Sequence, residues 1–143
     1  FRVGERAEIL ESYSDHEKSG FFISGSHNGY RKLKGCFIHQ RSVKYSSNEI
    51  IISDSVSASE CGKIDIYFHL GSKIKVLKIN QLTFLLKSLN KTLEATMEFS
   101  AGTVNLQDSW WYPTFGQKVN NFKLVNSYNG RLPQEFTAKL SWV

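Results

Sequence analysis

The stretch Lys63-Ile64-Asp65-Ile66-Tyr67-Phe68-His69-Leu70 decides the fold class, because its side chains alternate in character at every step. The even-numbered residues are apolar and would share one face of a strand. The odd-numbered residues carry a polar or charged group and would share the other face. A period of two is the period of a β-strand. The stretch therefore predicts a strand with one face on a core and one toward solvent, as in an antiparallel sheet.

The same alternation recurs outward from this stretch. Thr92–Phe99 and Phe136–Trp142 show it clearly. Weaker strand signals cover Ala7–Tyr13, Gly20–Ser24, Cys36–Tyr45, Glu49–Ser53, Ile74–Ile79 and Phe122–Tyr128.

Turn residues separate these segments. Asn28-Gly29 and Asn129-Gly130 predict tight turns, because Asn and Gly accept positive φ, and Ser46-Ser47-Asn48 predicts a similar link. Gln81–Asn90 places four leucines at helical spacing, which predicts either a strand pair or one short helix. Residues 1–143 are thus expected to form one all-β domain, an antiparallel β-sandwich.

Composition narrows the possible functions. The 143 residues are 41% apolar and 22% charged, which is typical of one soluble globular domain. No run approaches the roughly 18 apolar residues of a membrane span, so we expect no membrane span, and we expect no signal peptide within residues 1–143. The net charge of +5 is spread along the chain, with one basic cluster at Arg31-Lys32-Leu33-Lys34. That cluster fits a solvated turn or an anion-binding surface, and because no nucleic-acid motif accompanies it, we expect no nucleic-acid partner.

Cysteine and histidine usage argues against a metal site. The chain has two cysteines, Cys36 and Cys61, which we interpret as two small buried side chains, with a disulfide as the alternative if their strands adjoin. The four histidines lie far apart and no Cys-x-x-Cys motif is present, so we expect no zinc site and no cofactor.

The strand after Gly35 carries a candidate binding pair. His39 and Arg41 lie two residues apart, so a strand would hold both on one face about 7 Å apart. That spacing suits a carboxylate or a sugar hydroxyl, with Tyr30 and Arg31 as neighbouring candidates. The alternative is that Arg41 pairs with an acid such as Glu49 or Asp54 on the next strand and only fixes the register.

An aromatic segment follows later in the chain. Trp110-Trp111-Tyr112 leads into Pro113-Thr114-Phe115-Gly116. One interpretation is a platform on which sugar rings stack, with Trp110, Trp111 and Tyr112 as substrate-binding residues. The other is a plug that closes one end of the sandwich. The chain holds no Gly-x-Ser-x-Gly motif and no phosphate-binding loop, so it lacks the motifs of a self-contained active site.

The order of these segments resembles the C-terminal β-sandwich of the heparinase II/III-like polysaccharide lyases. The resemblance spans nearly the whole chain, and Gln40 stands where the family often has an arginine. The segments that carry it are His27–Leu33, Gly35–Arg41, Ile52–Asp54, Phe68–Leu70, Trp111–Gly116 and Gly130–Pro133.

The resemblance implies a portion of a larger bacterial enzyme. In this family an N-terminal α/α-toroid packs on the sandwich, and the groove between them binds an acidic polysaccharide such as a glycosaminoglycan, which is cleaved by β-elimination. The family's catalytic residues and zinc ligands lie outside the matched segments, so we assign no catalytic residue and no metal ligand here. We expect the chain alone to be inactive, and the parent to be periplasmic or extracellular. The alternative is a free-standing carbohydrate-binding or structural β-sandwich module.

Overall fold

The structure is a computed structural model that describes residues 6–142. Within this range the chain forms eleven β-strands and no helix, so nothing in it could cross a membrane as a helix. The strands are β1 (Ile9–Glu17), β2 (Gly20–Tyr30), β3 (Phe37–Ser46), β4 (Glu49–Ser57), β5 (Gly62–His69), β6 (Ile74–Lys78), β7 (Thr83–Ser88), β8 (Glu94–Phe99), β9 (Thr103–Trp111), β10 (Val119–Gly130) and β11 (Gln134–Trp142).

The described strands form two antiparallel sheets, which confirms the predicted β-sandwich. The large sheet has eight strands in the order β1-β2-β3-β4-β11-β8-β7-β6, and the small sheet has three in the order β5-β10-β9. The last described strand, β11, pairs with β4, although β5 to β10 lie between them in the chain, and this pairing places β11 in the middle of the large sheet. The strand predicted from Lys63–Leu70 is β5, at one edge of the small sheet.

The core lies where the small sheet covers β11, β8, β7 and β6. Phe84 of the large sheet and Leu124 of the small sheet are both fully buried between the sheets. The rings of Phe68 and Phe99 meet there edge to face, with their centroids 5.4 Å apart. We call this region, together with the small sheet, the packed half. The strands β1, β2 and β3 extend past β5, and we call them the open half. Between the halves lies β4, where Asp54 and Val56 are buried.

Two turn predictions need correction. Asn28-Gly29 does not form a turn but lies inside β2, at a register irregularity between His27 and Tyr30. The Asn28 side chain accepts a hydrogen bond from the Glu8 amide and donates one to the Glu8 carboxylate, which ties it to the neighbouring chain segment. The chain reverses instead at residues 31–36, where Gly35 (φ 105°) and Cys36 (φ 52°) adopt left-handed conformations. Likewise Asn129-Gly130 ends β10, and the reversal follows it.

Two further expectations are settled by pairing and exposure, and one strand was not expected. The leucine-rich Gln81–Asn90 contains the strand β7 rather than a helix, because β6 and β8 pair with it on either side. A strand that the sequence did not predict, β9, covers Thr103–Trp111. The interpretation of Cys36 and Cys61 as buried residues is wrong, since both are exposed and unpaired thiols.

Candidate functional site

Four polar side chains meet on the inner face of the large sheet. The register places His27 of β2 opposite His39 of β3, and Arg41 of β3 opposite Asp54 of β4. Opposed residues in an antiparallel pair share a face, so the four side chains form one group across three strands. We call this group the polar network.

Asp54 is the acceptor at the centre of the polar network. The residue is 1% exposed, and its carboxylate accepts hydrogen bonds from His39 Nε2 at 2.7 Å, Arg41 Nε at 2.7 Å and Arg41 Nη2 at 2.9 Å. Burial alone would raise the pKa of this carboxyl group. The hydrogen bonds from His39 and Arg41, together with the positive charge of Arg41, outweigh burial, so the pKa of Asp54 lies below its ordinary value. Asp54 is therefore an ionised anchor for both side chains.

The hydrogen bonds also fix the protons of the two imidazoles. The Gly29 amide donates to His27 Nδ1 at 3.1 Å, so the proton of a neutral His27 sits on Nε2. His27 Nε2 then donates to His39 Nδ1 at 3.3 Å, and His39 Nε2 donates to Asp54. Every ring nitrogen of both histidines has a partner. Neither imidazole can bind a ligand atom without giving up one of these bonds.

Arg41 has the strand position predicted from the sequence and makes the ion pair of the alternative interpretation. It shares a strand face with His39, as predicted, and it makes a two-bond ion pair with Asp54. The other acid considered, Glu49, pairs with Lys139 at 3.0 Å. The Arg41 side chain is nevertheless 42% exposed, and within residues 6–142 its Nη1 makes no hydrogen bond. The pairing is that of the register alternative, and substrate binding by His39 and Arg41 stays a prediction.

A cleft of about 410 Å³ opens above the polar network, between the two sheets. Its cations are matched by acids, because Arg41 pairs with Asp54 and Lys63 Nζ lies 3.2 Å from Asp65. The cleft is therefore not a strongly cationic groove. Its walls come from the β2–β3 region, β3, β4 and one edge of β5, and comprise Tyr30, Leu33, Phe37, His39, Arg41, Val56 and Lys63–Tyr67.

The other predicted residues of this region divide between the cleft and the surface. Tyr30 lines the cleft and packs its ring 5.4 Å from that of His27. Arg31 is not among the cleft-lining residues, and its Nη1 lies 3.2 Å from the Glu8 carboxylate. The structure thus brings Tyr30, His39 and Arg41 together and leaves Arg31 in a separate ion pair.

The aromatic segment lies away from the cleft. Trp110 and Trp111 end β9, which β10 separates from β5, and Trp111 pairs with the start of β10 rather than with the part that adjoins the cleft. The plug interpretation is wrong, because Trp110 is 49% exposed and Trp111, Tyr112 and Phe115 are at least as exposed. Lys118 lies over the Trp110 ring, with Nζ 3.7 Å from the centroid. We call Trp110, Trp111, Tyr112 and Lys118 the aromatic platform.

Sequence reasoning missed part of each group. His27 enters the polar network through cross-strand register, which one sequence does not reveal, and the same register selects Asp54 from the two acids considered for Arg41. Lys118 reaches Trp110 because the loop after β9 turns back into β10, and a basic residue after the Gly116 turn was the available signal. Within the described residues no cluster of His, Cys, Asp or Glu is placed to hold a metal ion.

Comparisons with known proteins agree with this architecture. The family described as "Heparinase II/III-like, C-terminal" matches residues 1–143. No curated protein sequence matches the chain. Among solved structures, the heparan sulfate lyase HepC from Pedobacter heparinus superposes with a TM-score of 0.79 at 10% identity, over 96% of this chain and 22% of that one.

Two further structures show how widely the fold is used. Heparinase III, the BT4657 gene product, gives a TM-score of 0.75 at 13% identity, over 96% of this chain and 21% of its own. A 4-alpha-glucanotransferase from Thermococcus litoralis gives 0.56 at 11% identity, over 92% of this chain and 22% of its own. At such identities the likeness concerns the fold alone. The chain spans about a fifth of the length of the lyases it matches.

The full-length family match and the two superposed lyases agree with the segment order noted in the sequence. This chain belongs to the heparinase II/III-like family and corresponds to that family's C-terminal region.

Proposed function

We propose that this chain is the non-catalytic sandwich portion of a polysaccharide lyase, and that its aromatic platform contacts an acidic glycan bound by the parent protein. Family membership supports the first part, since the superposed relatives are described as heparan sulfate lyase and heparinase III. The observation that carries the second part is Lys118 Nζ, 3.7 Å from the centroid of the half-exposed Trp110 ring.

The chemistry of the platform suits a charged sugar. Aromatic rings carry negative charge on their faces, which favours contact with the C–H groups of a pyranose ring and with cations. The Lys118 ammonium would lie beside a sugar stacked nearby, where it could attract a carboxylate or sulfate. Trp111 and Tyr112 are also exposed, and Trp111, as the next residue of β9, presents its ring on the opposite face of the small sheet from Trp110.

The reaction itself would take place elsewhere in the parent. In β-elimination a base removes the proton α to the uronate carboxylate while that carboxylate is neutralised, and the glycosidic oxygen then leaves. We assign no base in this chain. Both ring nitrogens of His27 and of His39 are bonded, and His69 lies on the exposed face of β5 with its ring near Tyr67. The chain's part is to support the groove and to hold glycan.

The test is steady-state kinetics of the full-length parent carrying Trp110→Ala, with heparan sulfate as the probe and unsaturated uronate absorbance as the readout. Loss of one stacking ring should raise KM by about 2- to 10-fold with little change in kcat. Tyr13→Ala is the matched control, because Tyr13 is an aromatic ring of similar exposure on β1, in the open half. An unchanged KM in Trp110→Ala, Trp111→Ala and Tyr112→Ala would remove the platform from the glycan site.

The alternative, a free-standing carbohydrate-binding module, rests on the same exposed rings. It predicts that the 143-residue chain binds the glycan as tightly as the parent does, whereas the lyase proposal predicts weaker binding by the chain and no turnover. Titration calorimetry of chain and parent with one oligosaccharide separates the two.

A further inference from the structure

The two sheets differ in width, and this leaves one edge of the sandwich open. The small sheet contains three described strands and the large sheet eight. Along one edge, β5 pairs with β10 from Gly62 to His69; no strand within residues 6–142 pairs with its other edge. Five consecutive residues of that strand, Lys63–Tyr67, line the cleft. The backbone groups on this edge are the kind that a further strand would pair with.

The inner face of β2 and β3 carries apolar side chains although the small sheet does not reach it, whereas β1 presents Ser14 and His16 there, opposite Ile23 and Phe21. Ile23 of β2 lies opposite Val43 of β3 and is 41% exposed. At the far end of the same strands, the Phe21 ring stacks on Tyr45 at 5.3 Å, and Tyr45 stacks on Trp142 at 6.4 Å. Apolar side chains in rows of this kind normally pack against a second layer.

The outer face of the same strands is more polar, although Phe22, Ile38 and Ile51 also lie on it. Between the inward residues of β3 lie Gln40, Ser42 and Lys44, and Ser53 and Ser55 of β4 pair with Ser42 and Gln40. Such a face suits water. Apart from the polar network, the sheet is therefore more apolar on its inner face than on its outer face across β2, β3 and β4.

We infer that the second edge of β5 accepts further strands of the same protein, from outside residues 1–143, which extend the small sheet over the open half. This rests on the proposed function in one respect, that the chain is part of a longer protein. The edge favours a strand over a helix as occupant, because only an extended backbone can continue the ladder of β5. About two strands at roughly 4.8 Å spacing would cover the apolar part of the inner face, on β2 and β3. The superposed lyases contain the matched region in 22% and 21% of their length, which leaves ample chain for such strands.

The polar network adds a requirement on the strand that adjoins β5. Its inward side chains would lie above His39 and Arg41, where the Nη1 group of Arg41 makes no hydrogen bond within the described residues. A carboxylate or amide oxygen at that point would complete the guanidinium's partners. Neighbouring inward positions would be apolar, over Ile23 and Val43.

Hydrogen–deuterium exchange of the full-length parent tests the edge directly. In an antiparallel ladder, successive amides point to alternate sides, so a strand paired on one edge protects only every other amide. With strands on both edges, all amides from Ile64 to Phe68 should exchange about a hundredfold or more slowly than those of the 90–92 loop. Fast exchange at alternate β5 amides would overturn the inference. Protection that rises with protein concentration would overturn it too, since the occupant would then be a second copy.

Substitutions of two isoleucines test whether the inner face of the large sheet is covered in the parent. Ile23→Asp should lower the melting temperature of the parent and speed exchange at the cleft-side amides of β5. Ile38→Asp is the matched control, because Ile38 lies on neighbouring β3, is 39% exposed and faces outward. Equal effects of the two substitutions would contradict a covered inner face. Protection of β5 in a parent without lyase activity would sink the proposed function and leave this inference standing.

Discussion

One row of side chains crosses the large sheet from the open half to the packed half. Cross-strand pairing joins Ile23, Val43, Ile52, Ala138 and Phe99 in that order, so all five share the inner face. The exposed fraction falls from 41% at Ile23 to 5% at Phe99. The difference lies in the second layer, which is present over Phe99 and, among residues 6–142, missing over Ile23.

The comparison shows what alternation does and does not determine. A period of two fixes which side chains share a face, because it follows from backbone geometry alone. Whether that face is buried depends on a second sheet, which other parts of the chain must supply. Stability should therefore be concentrated in the packed half.

The largest expected effect is the loss of stability when a buried ring is removed from the packed half. Phe84 is 0% exposed and meets Phe99 edge to face, so Phe84→Ala should cost about 3–5 kcal/mol of unfolding free energy. Ile23→Ala in the same 143-residue chain should cost less than about 1 kcal/mol, because its side chain is already partly in water. Urea unfolding followed by intrinsic fluorescence measures both. Similar losses would mean that the two halves are equally packed.

Particular residues show why part of the fold could be predicted from sequence and part could not. The strands β5, β8 and β11 were predicted because each has a clean apolar face and each packs on the core. The leucines of Gln81–Asn90 have helical spacing, yet pairing with β6 and β8 makes this segment a strand, and such pairing is not local information. Asn28-Gly29 fails as a turn for a similar reason, since Glu8, 20 residues away, holds the asparagine side chain.

The candidate sites divide in the same way. Spacing alone placed His39 and Arg41 on one face, because i and i+2 always share a face in a strand. Their partners His27 and Asp54 come from other strands, and only the register brings them within hydrogen-bonding distance. The exposure of the aromatic platform was open between two interpretations, since sequence does not say which end of a sandwich is covered.

The next largest loss of stability is expected from a substitution in β4, which lies between the two halves. Asp54→Ala removes the acceptor of three hydrogen bonds and leaves the His39 and Arg41 donors without their partner. We expect a loss of about 2–4 kcal/mol in the 143-residue chain, below the upper bound for a fully buried pair because Arg41 can turn toward water. Glu49→Ala, which breaks the more exposed pair with Lys139, is the control. A loss at Asp54 no greater than at Glu49 would show that the polar network adds little.

A smaller expected effect is the pH dependence of the stability that Asp54 contributes. Since the pKa of Asp54 is lowered in the folded chain, its contribution to stability is complete above its ordinary value of 3.8 and is lost as pH falls through the folded-state pKa. Urea midpoints of wild type and Asp54→Asn, measured from about pH 6 to about pH 2.5, should therefore converge at the acid end. A difference between the two proteins that stays constant over this range would mean that ionisation of Asp54 does not stabilise the fold.

The smallest effect compares two ion pairs of nearly equal length. Lys87 Nζ lies 2.6 Å from Glu94 on the outer face of the packed half, and Arg41 Nε lies 2.7 Å from Asp54. Both side chains of the first pair are more than one-third exposed, whereas Asp54 is buried. Water and salt screen the exposed charges, so a double-mutant cycle on Lys87 and Glu94 should give a coupling of about 0.2–1 kcal/mol that shrinks in about 1 M salt. The same cycle on Arg41 and Asp54 should give a larger coupling that salt reduces less, because the low-dielectric surroundings of Asp54 exclude ions and its two hydrogen bonds fix the geometry. If the two coupling energies are equal, distance rather than burial sets the strength of these ion pairs. The buried position of Asp54 between the two halves would then not strengthen its pair with Arg41.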